Sequence, residues 1–104
     1  MTDISVELPR KQEFSEHIDS IFHARLADGN RFDLSLIKLD EIVSNEMQDN
    51  FTLLFRAPVD APQSQGIYWL EHDVLGAMEI FLVPVSRDAV GLSYEAVFNL
   101  LVKT

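Results

Sequence analysis

Cysteine is absent from the 104 residues, so no disulfide framework, thiolate metal site or cysteine nucleophile is available, and the chain must rely on its core. Glycine and proline number only four each, which excludes collagen-like and low-complexity readings. Basic residues are scarce. Eight Lys and Arg against seventeen Asp and Glu leave a formal charge of −9, so a nucleic acid backbone or an anionic membrane would meet net repulsion. Long apolar runs are missing too: the longest, Ile80-Phe81-Leu82-Val83-Pro84-Val85, is far below the roughly 20 residues of a membrane-spanning helix. Met1-Thr2-Asp3-Ile4-Ser5 has no basic segment leading into an apolar one, so no secretory signal is expected and a cytoplasmic location is the default.

What is present is an ordinary globular composition, 47% hydrophobic and 24% charged, in a length that suits one core and one domain, 1–104. Pro9 followed by Arg10-Lys11-Gln12-Glu13-Phe14-Ser15-Glu16 suits a helix start, where proline's missing N–H costs nothing. A helix of about two turns is expected, docked by Phe14 with Leu8 or Ile18, since so short a helix does not persist alone. From Ile18 the pattern alternates, with Phe22, Ala24 and Leu26 opposite Ile21, His23 and Arg25. Asp28-Gly29 then predicts a hairpin turn, after which Phe32, Leu34 and Leu36 resume the alternation. Beyond Ile37 the phase slips, which predicts a bulge or bend, although Leu39, Ile42, Val43 and Glu46 also fit helical spacing.

Phe51, Leu53, Phe55 and Ala57 predict a strand ending at Pro58, followed by a polar loop over residues 59–66. Strands follow at Ile67–His72, Ala77–Val85 and Leu92 to about Val102, separated by turns at Asp73–Gly76 and Ser86–Gly91. Apolar residues on both sides of the Ala77–Val85 strand suggest that both its faces are covered. No helix is long enough for a crossover between parallel strands. The expectation is a mainly β fold, a small antiparallel barrel or two-layer sandwich of about six strands with a short N-terminal helix.

The chemistry-bearing residues form no recognisable catalytic pattern. His17, His23 and His72 make no His pair at metal-ligand spacing. His17 is expected at a helix end, and His23 on an exposed sheet surface. Glu71-His72-Asp73 is suggestive, but alternation turns His72 away from both acids, and Asp73 is expected to close the following turn. No serine lies in a nucleophile elbow and no glycines cradle a phosphate, so neither an enzyme nor a cofactor site is expected. Glu95, mid-strand, needs water or a counter-ion; Arg56 is the candidate partner and Arg25 the second. Tyr68, Trp69 and Tyr94 are candidate binding anchors, because aromatics with polar tips are enriched at interfaces.

The segments Phe51-Thr52-Leu53-Leu54-Phe55-Arg56-Ala57-Pro58, Gly66-Ile67-Tyr68-Trp69-Leu70-Glu71-His72, Phe81-Leu82-Val83-Pro84-Val85 and Tyr94-Glu95-Ala96-Val97-Phe98-Asn99 resemble a family of small bacterial proteins defined only as a domain of unknown function. The resemblance implies no activity, cofactor or catalytic residue. It does imply neighbours resembling phage-tail collar proteins, and hence an accessory role in a phage-tail-like or fibre-like system. Together these readings predict a non-catalytic protein-interaction or assembly module, with an unidentified protein partner and a possible second copy of itself. Contact is expected through a sheet edge or the loop carrying Gln63 and Gln65. The alternative is a small barrel enclosing an apolar ligand with Tyr68, Trp69 and Tyr94 at its mouth.

Overall fold

A computed structural model describes residues 9–26, 28–45 and 47–101, apart from the side chains of Ser44, Leu100 and Leu101. The elements are α1 (Lys11–Ser15), β1 (Ile21–Arg25), β2 (Arg31–Ser44), β3 (Gln48–Pro58), β4 (Gly66–His72), β5 (Gly76–Arg87) and β6 (Gly91–Leu101). Every ladder is antiparallel. The six strands close on themselves in the order β1-β2-β3-β6-β5-β4, so of the two expected architectures the chain forms the single ring.

Period-two alternation decides which residues fill that ring. Phe22 and Ala24 of β1, Phe51, Leu53 and Phe55 of β3, and Leu92, Tyr94, Ala96 and Phe98 of β6 are all buried, while their sequence neighbours are exposed or half-buried except at the start of β6, where Gly91 and Ser93 are buried too. The hairpin turn lies where expected, with Gly29 at φ 92 and Asp28 Oδ1 accepting the Asn30 N–H at 2.9 Å, a conformation and a bond that glycine and aspartate each suit.

The helical option for residues 39–46 is not taken. β2 runs as strand to Ser44, and the phase slip is absorbed by two register shifts against β3, at Leu36/Lys38 and Glu41/Val43. Pairing with β3 satisfies the backbone of this segment, which an isolated short helix would leave half-bonded at its ends. A third shift, at Pro84/Ser86 between β5 and β6, had no signal beyond Pro84 itself. Glu46, Leu8 and Val102 lie outside the described residues.

α1 is shorter than expected, at five residues, and is held by its contacts. Phe14 is fully buried, its ring centroid 5.6 Å from Phe98, 6.2 Å from Phe51 and 6.4 Å from Phe22. Burying that one side chain contributes about 2–3 kcal/mol, which so short a helix needs. Lys11 Nζ bridges Glu41 at 2.5 Å and Asp49 at 3.1 Å, tying the helix to β2 and β3. The opposite end of the ring is closed by residues 59–65. Tyr68 donates its hydroxyl to the Ser64 carbonyl and Tyr94 donates to the Pro62 carbonyl, while Ala61 is buried beneath the loop.

Two sequence-based expectations fail. Ile80 and Leu82 are buried, but Phe81 on the other face of β5 is 50% exposed, because a closed ring has only one inside. Arg56 does not meet Glu95. It stands opposite Ser93, with Glu95 two pairs further along opposite Leu54, and its guanidinium instead clamps Asp88 at 2.7 and 2.8 Å and reaches Ser93 Oγ at 3.2 Å.

Asp88 also accepts the N–H groups of Val90 and Gly91. The Arg56 guanidinium first, and these backbone donors second, hold its carboxyl down at about 2 from an ordinary 3.8. A depressed folded-state value means the turn's contribution is present above pH 3.8 and is lost as pH falls through about 2. Asp88→Asn is therefore expected to remove that part of the acid-unfolding profile, measured as denaturation midpoint against pH. A Cβ on Gly91 would sit 2.5 Å from the Ala57 carbonyl oxygen. Gly91→Ala is expected to cost about 1–3 kcal/mol by overpacking in this ladder, read from chemical denaturation.

Candidate functional site

The inner face of β4 ends in a polar centre. His72 is 8% exposed, its ring 4.5 Å from Phe22 and 4.9 Å, edge-on, from His17. Its Nδ1 accepts the backbone N–H of Val74 at 3.0 Å and of Leu75 at 3.1 Å, so this imidazole, and not Asp73, closes the β4–β5 turn. Gly76 completes the turn at φ 84, a left-handed conformation that glycine adopts without strain.

Ser20 Oγ lies 2.9 Å from His72 Nε2, a pairing that no sequence spacing announced, since 52 residues separate the two. The distance matches a serine–histidine dyad, but the proton runs the wrong way. With Nδ1 accepting two N–H groups, the neutral ring carries its proton on Nε2 and donates it to Ser20. The serine hydroxyl in turn donates to the His17 carbonyl at 2.5 Å. A serine nucleophile needs an imidazole that accepts its proton, so this arrangement leaves Ser20 unactivated. Glu95 does not join it: His72 points inside the ring, whereas Glu95 stands on the outward register between buried Tyr94 and Ala96.

His17 lies just past α1, its Nδ1 donating to the Glu13 carbonyl at 2.8 Å, and His23 sits on the exposed side of β1, 2.8 Å from Asp33. Both match their expected places. No cluster of three or more histidine or acidic side chains suited to a metal occurs among the described residues, and none of their helices is long and apolar enough to cross a membrane.

The candidate anchors divide. Tyr68 and Tyr94 are 4% and 0% exposed; their rings fill the core, 5.8 Å apart, and burial chiefly pushes the Tyr94 hydroxyl above its usual titration range. They are loop ties and not surface anchors. Gln63 and Gln65 are exposed on the loop the two tyrosines hold. Trp69 alone of the three aromatics faces outward, half-buried, with Arg25 5.7 Å over its ring in a cation–π contact.

Around Trp69 the outer surface of β4 and β5 is unusually apolar. Ile67 stands directly across from Phe81, at 69% and 50% exposure, with Val83 next on the same face of β5. Arg25, Trp69 and Glu79 form the adjoining cross-strand row and line an open depression of about 490 Å³ together with Ile67, Leu26 and Gly29. Exposed Glu71 and Glu79 give the patch an acidic margin. The Trp69 indole N–H is buried without an acceptor among the described residues. Sequence alternation sets Phe81 on the face opposite Ile80 and Ile67 on the face opposite Tyr68, but not which face is outward, nor that nothing among the described residues covers them.

The chain belongs to a family defined as a domain of unknown function, DUF6916, whose pattern matches residues 9–98. No curated protein and no solved structure matches it.

The His72 centre makes a prediction of its own. Burial first, and the neighbouring His17 second, lower the His72 pKa from 6.5, against a smaller opposing pull from Asp73. The unfolded chain therefore takes up a proton before the folded one, and this group's effect is a stability that falls as pH drops below 6.5. His72→Ala is expected to cost about 1–3 kcal/mol at neutral pH, from the stranded Val74 and Leu75 N–H groups, and to flatten the stability profile below that point. Urea midpoints measured on both sides of the histidine range check both effects.

Proposed function

We propose that this member of the family is a non-catalytic protein-interaction module whose partner docks on the outer face of β4 and β5. The observation that carries the reading is the cross-strand pair Ile67 and Phe81, large apolar side chains exposed side by side and continued by Trp69 and Val83. Single exposed apolar residues are common on any surface, but a contiguous group with a polar margin marks a contact site. The centre and rim also have the composition of an interface, an aromatic and aliphatic middle with charge kept to the edge.

The margin suggests the partner's chemistry. Glu71 and Glu79 flank the patch, Arg25 alone among the described residues there offers positive charge, and the whole chain carries −9. An apolar segment bordered by Lys or Arg fits this surface best, and its approach would be accelerated electrostatically. An accessory place in a phage-tail-like or fibre-like assembly is compatible with such a module, and a cytoplasmic one is the location this reading adopts.

The ligand-enclosing alternative draws no support from the ring's interior, where Tyr68, Tyr94 and the phenylalanines occupy the space between strands. The loop version is weaker than the face version, because Gln63 and Gln65 offer no apolar anchor.

The test is a tagged capture from native lysate run in parallel with Phe81→Lys and Ile67→Lys, each checked for an unchanged melting curve. A partner using this face is expected to lose about 2 kcal/mol or more of binding, ~30-fold, with either variant, and to bind more weakly as salt rises. Undiminished capture by both variants would move the contact elsewhere.

A further inference from the structure

The ring is closed by only part of β5 and β6. Their ladder covers Val83–Arg87 against Leu92–Glu95 and stops there. Beyond it β6 continues from Ala96 to Leu101 paired with β3 alone, and β5 continues from Gly76 to Leu82 paired with β4 alone. Among the described residues, no strand pairs with the remaining side of β6 over Ala96–Leu101. Alternate N–H and C=O groups of that segment therefore point away from β3 with no ladder partner.

Edges of this kind are ordinarily guarded by a charge, a proline, a bulge or brevity. This one has none of the four. Ala96-Val97-Phe98-Asn99-Leu100-Leu101 contains no charged residue, proline or glycine, its register with β3 is unbroken from Gln48 to Pro58, and six residues span about 20 Å. The outward side chains Val97, 53% exposed, and Asn99 carry no charge either. The free edge of β5 differs, since it contains Glu79.

We propose that β6 pairs antiparallel with β6 of a second copy of this chain, joining the two rings into a dimer through one continuous sheet. The charge distribution selects this occupant. A chain of net charge −9 repels its own copy at nearly any contact, and the acidic margin of the β4–β5 face would set like charges together. The Ala96–Leu101 edge is a stretch where self-pairing brings no charge opposite its twin. The symmetry agrees. A two-fold axis perpendicular to the sheet pairs residues whose numbers have an even sum, so inward side chains meet inward ones whether the axis passes at Phe98 or at Asn99. Centred on Phe98, Val97 of one copy stands beside the partner's Asn99.

The inference does not depend on the partner-docking face, and the two fail separately. Sedimentation velocity of the purified full chain over a concentration series is expected to show twice the chain mass. Val97→Lys and, as a second variant, Asn99→Lys are expected to return the mass to that of one chain, each setting a charge at the edge on an exposed position that the fold tolerates. Phe81→Lys is expected to remain dimeric. Amide exchange at Ala96–Leu101 should slow in the wild type relative to Val97→Lys, which distinguishes edge pairing from any other self-contact. A wild-type chain that stays monomeric throughout, a dimer that survives both lysine variants, or one abolished by Phe81→Lys instead would overturn the proposal.

Discussion

A ring of six strands has an interior too narrow for anything but side chains, and filling it is the constraint on which the rest of the molecule depends. The chain meets it with large rings. Phe51 and Phe98 stack across the β3–β6 ladder at 4.7 Å, and Phe22 meets Phe55 edge-on at 5.4 Å. At one end Phe14, carried by a helix of five residues, inserts among Phe22, Phe51 and Phe98. At the other, Tyr68 and Tyr94 do what phenylalanine could not, because each has a hydroxyl to satisfy as well as a ring to bury, and the backbone carbonyls of the closing loop accept both. Without disulfides, closure of the ring and closure of its ends are one problem.

His72 shows how a polar group is admitted to such an interior. It is tolerated because both ring nitrogens are bonded: two N–H groups arrive at Nδ1 and Ser20 receives the proton of Nε2. The same bonds fix its tautomer, keep it from accepting the Ser20 proton and make it the brace of the β4–β5 turn. A serine and a histidine within hydrogen-bond distance are thus evidence of chemistry only once the direction of the proton is known.

Outside the ring, charge partitions the surface. The acidic excess opposes self-association over most of it, the β4–β5 face with its acidic margin included, while the β6 edge over Ala96–Leu101 carries no charge. Edge pairing of two copies would display two docking faces on one assembly, and a partner with repeated segments would then gain avidity without any new contact. A scaffold or assembly accessory, the role proposed above, would make use of that geometry.

The strands and the division of their side chains between two faces were legible in the sequence because side-chain direction alternates with a period of two, whatever the partner strand. The Asp28-Gly29 hairpin, the phase slip beyond Ile37 and the exposed place of His23 were readable for the same local reason. Residue 39 onward stayed ambiguous between helix and strand because its apolar spacing fits both periods; the long β3 ladder resolved it. What tertiary structure alone decided was which distant groups meet. Arg56 turns to Asp88 and not Glu95 because strand register sets Glu95 two pairs away, and Ser20 reaches His72 because ring closure brings β4 against β1. Tyr68, Trp69 and Tyr94 look alike in the sequence, yet parity sends two inward and one outward, and only the closed ring defines which side is inside. Local pattern sets the face a residue takes, since that is a property of the backbone; its partner is a property of register and closure, which no local pattern encodes.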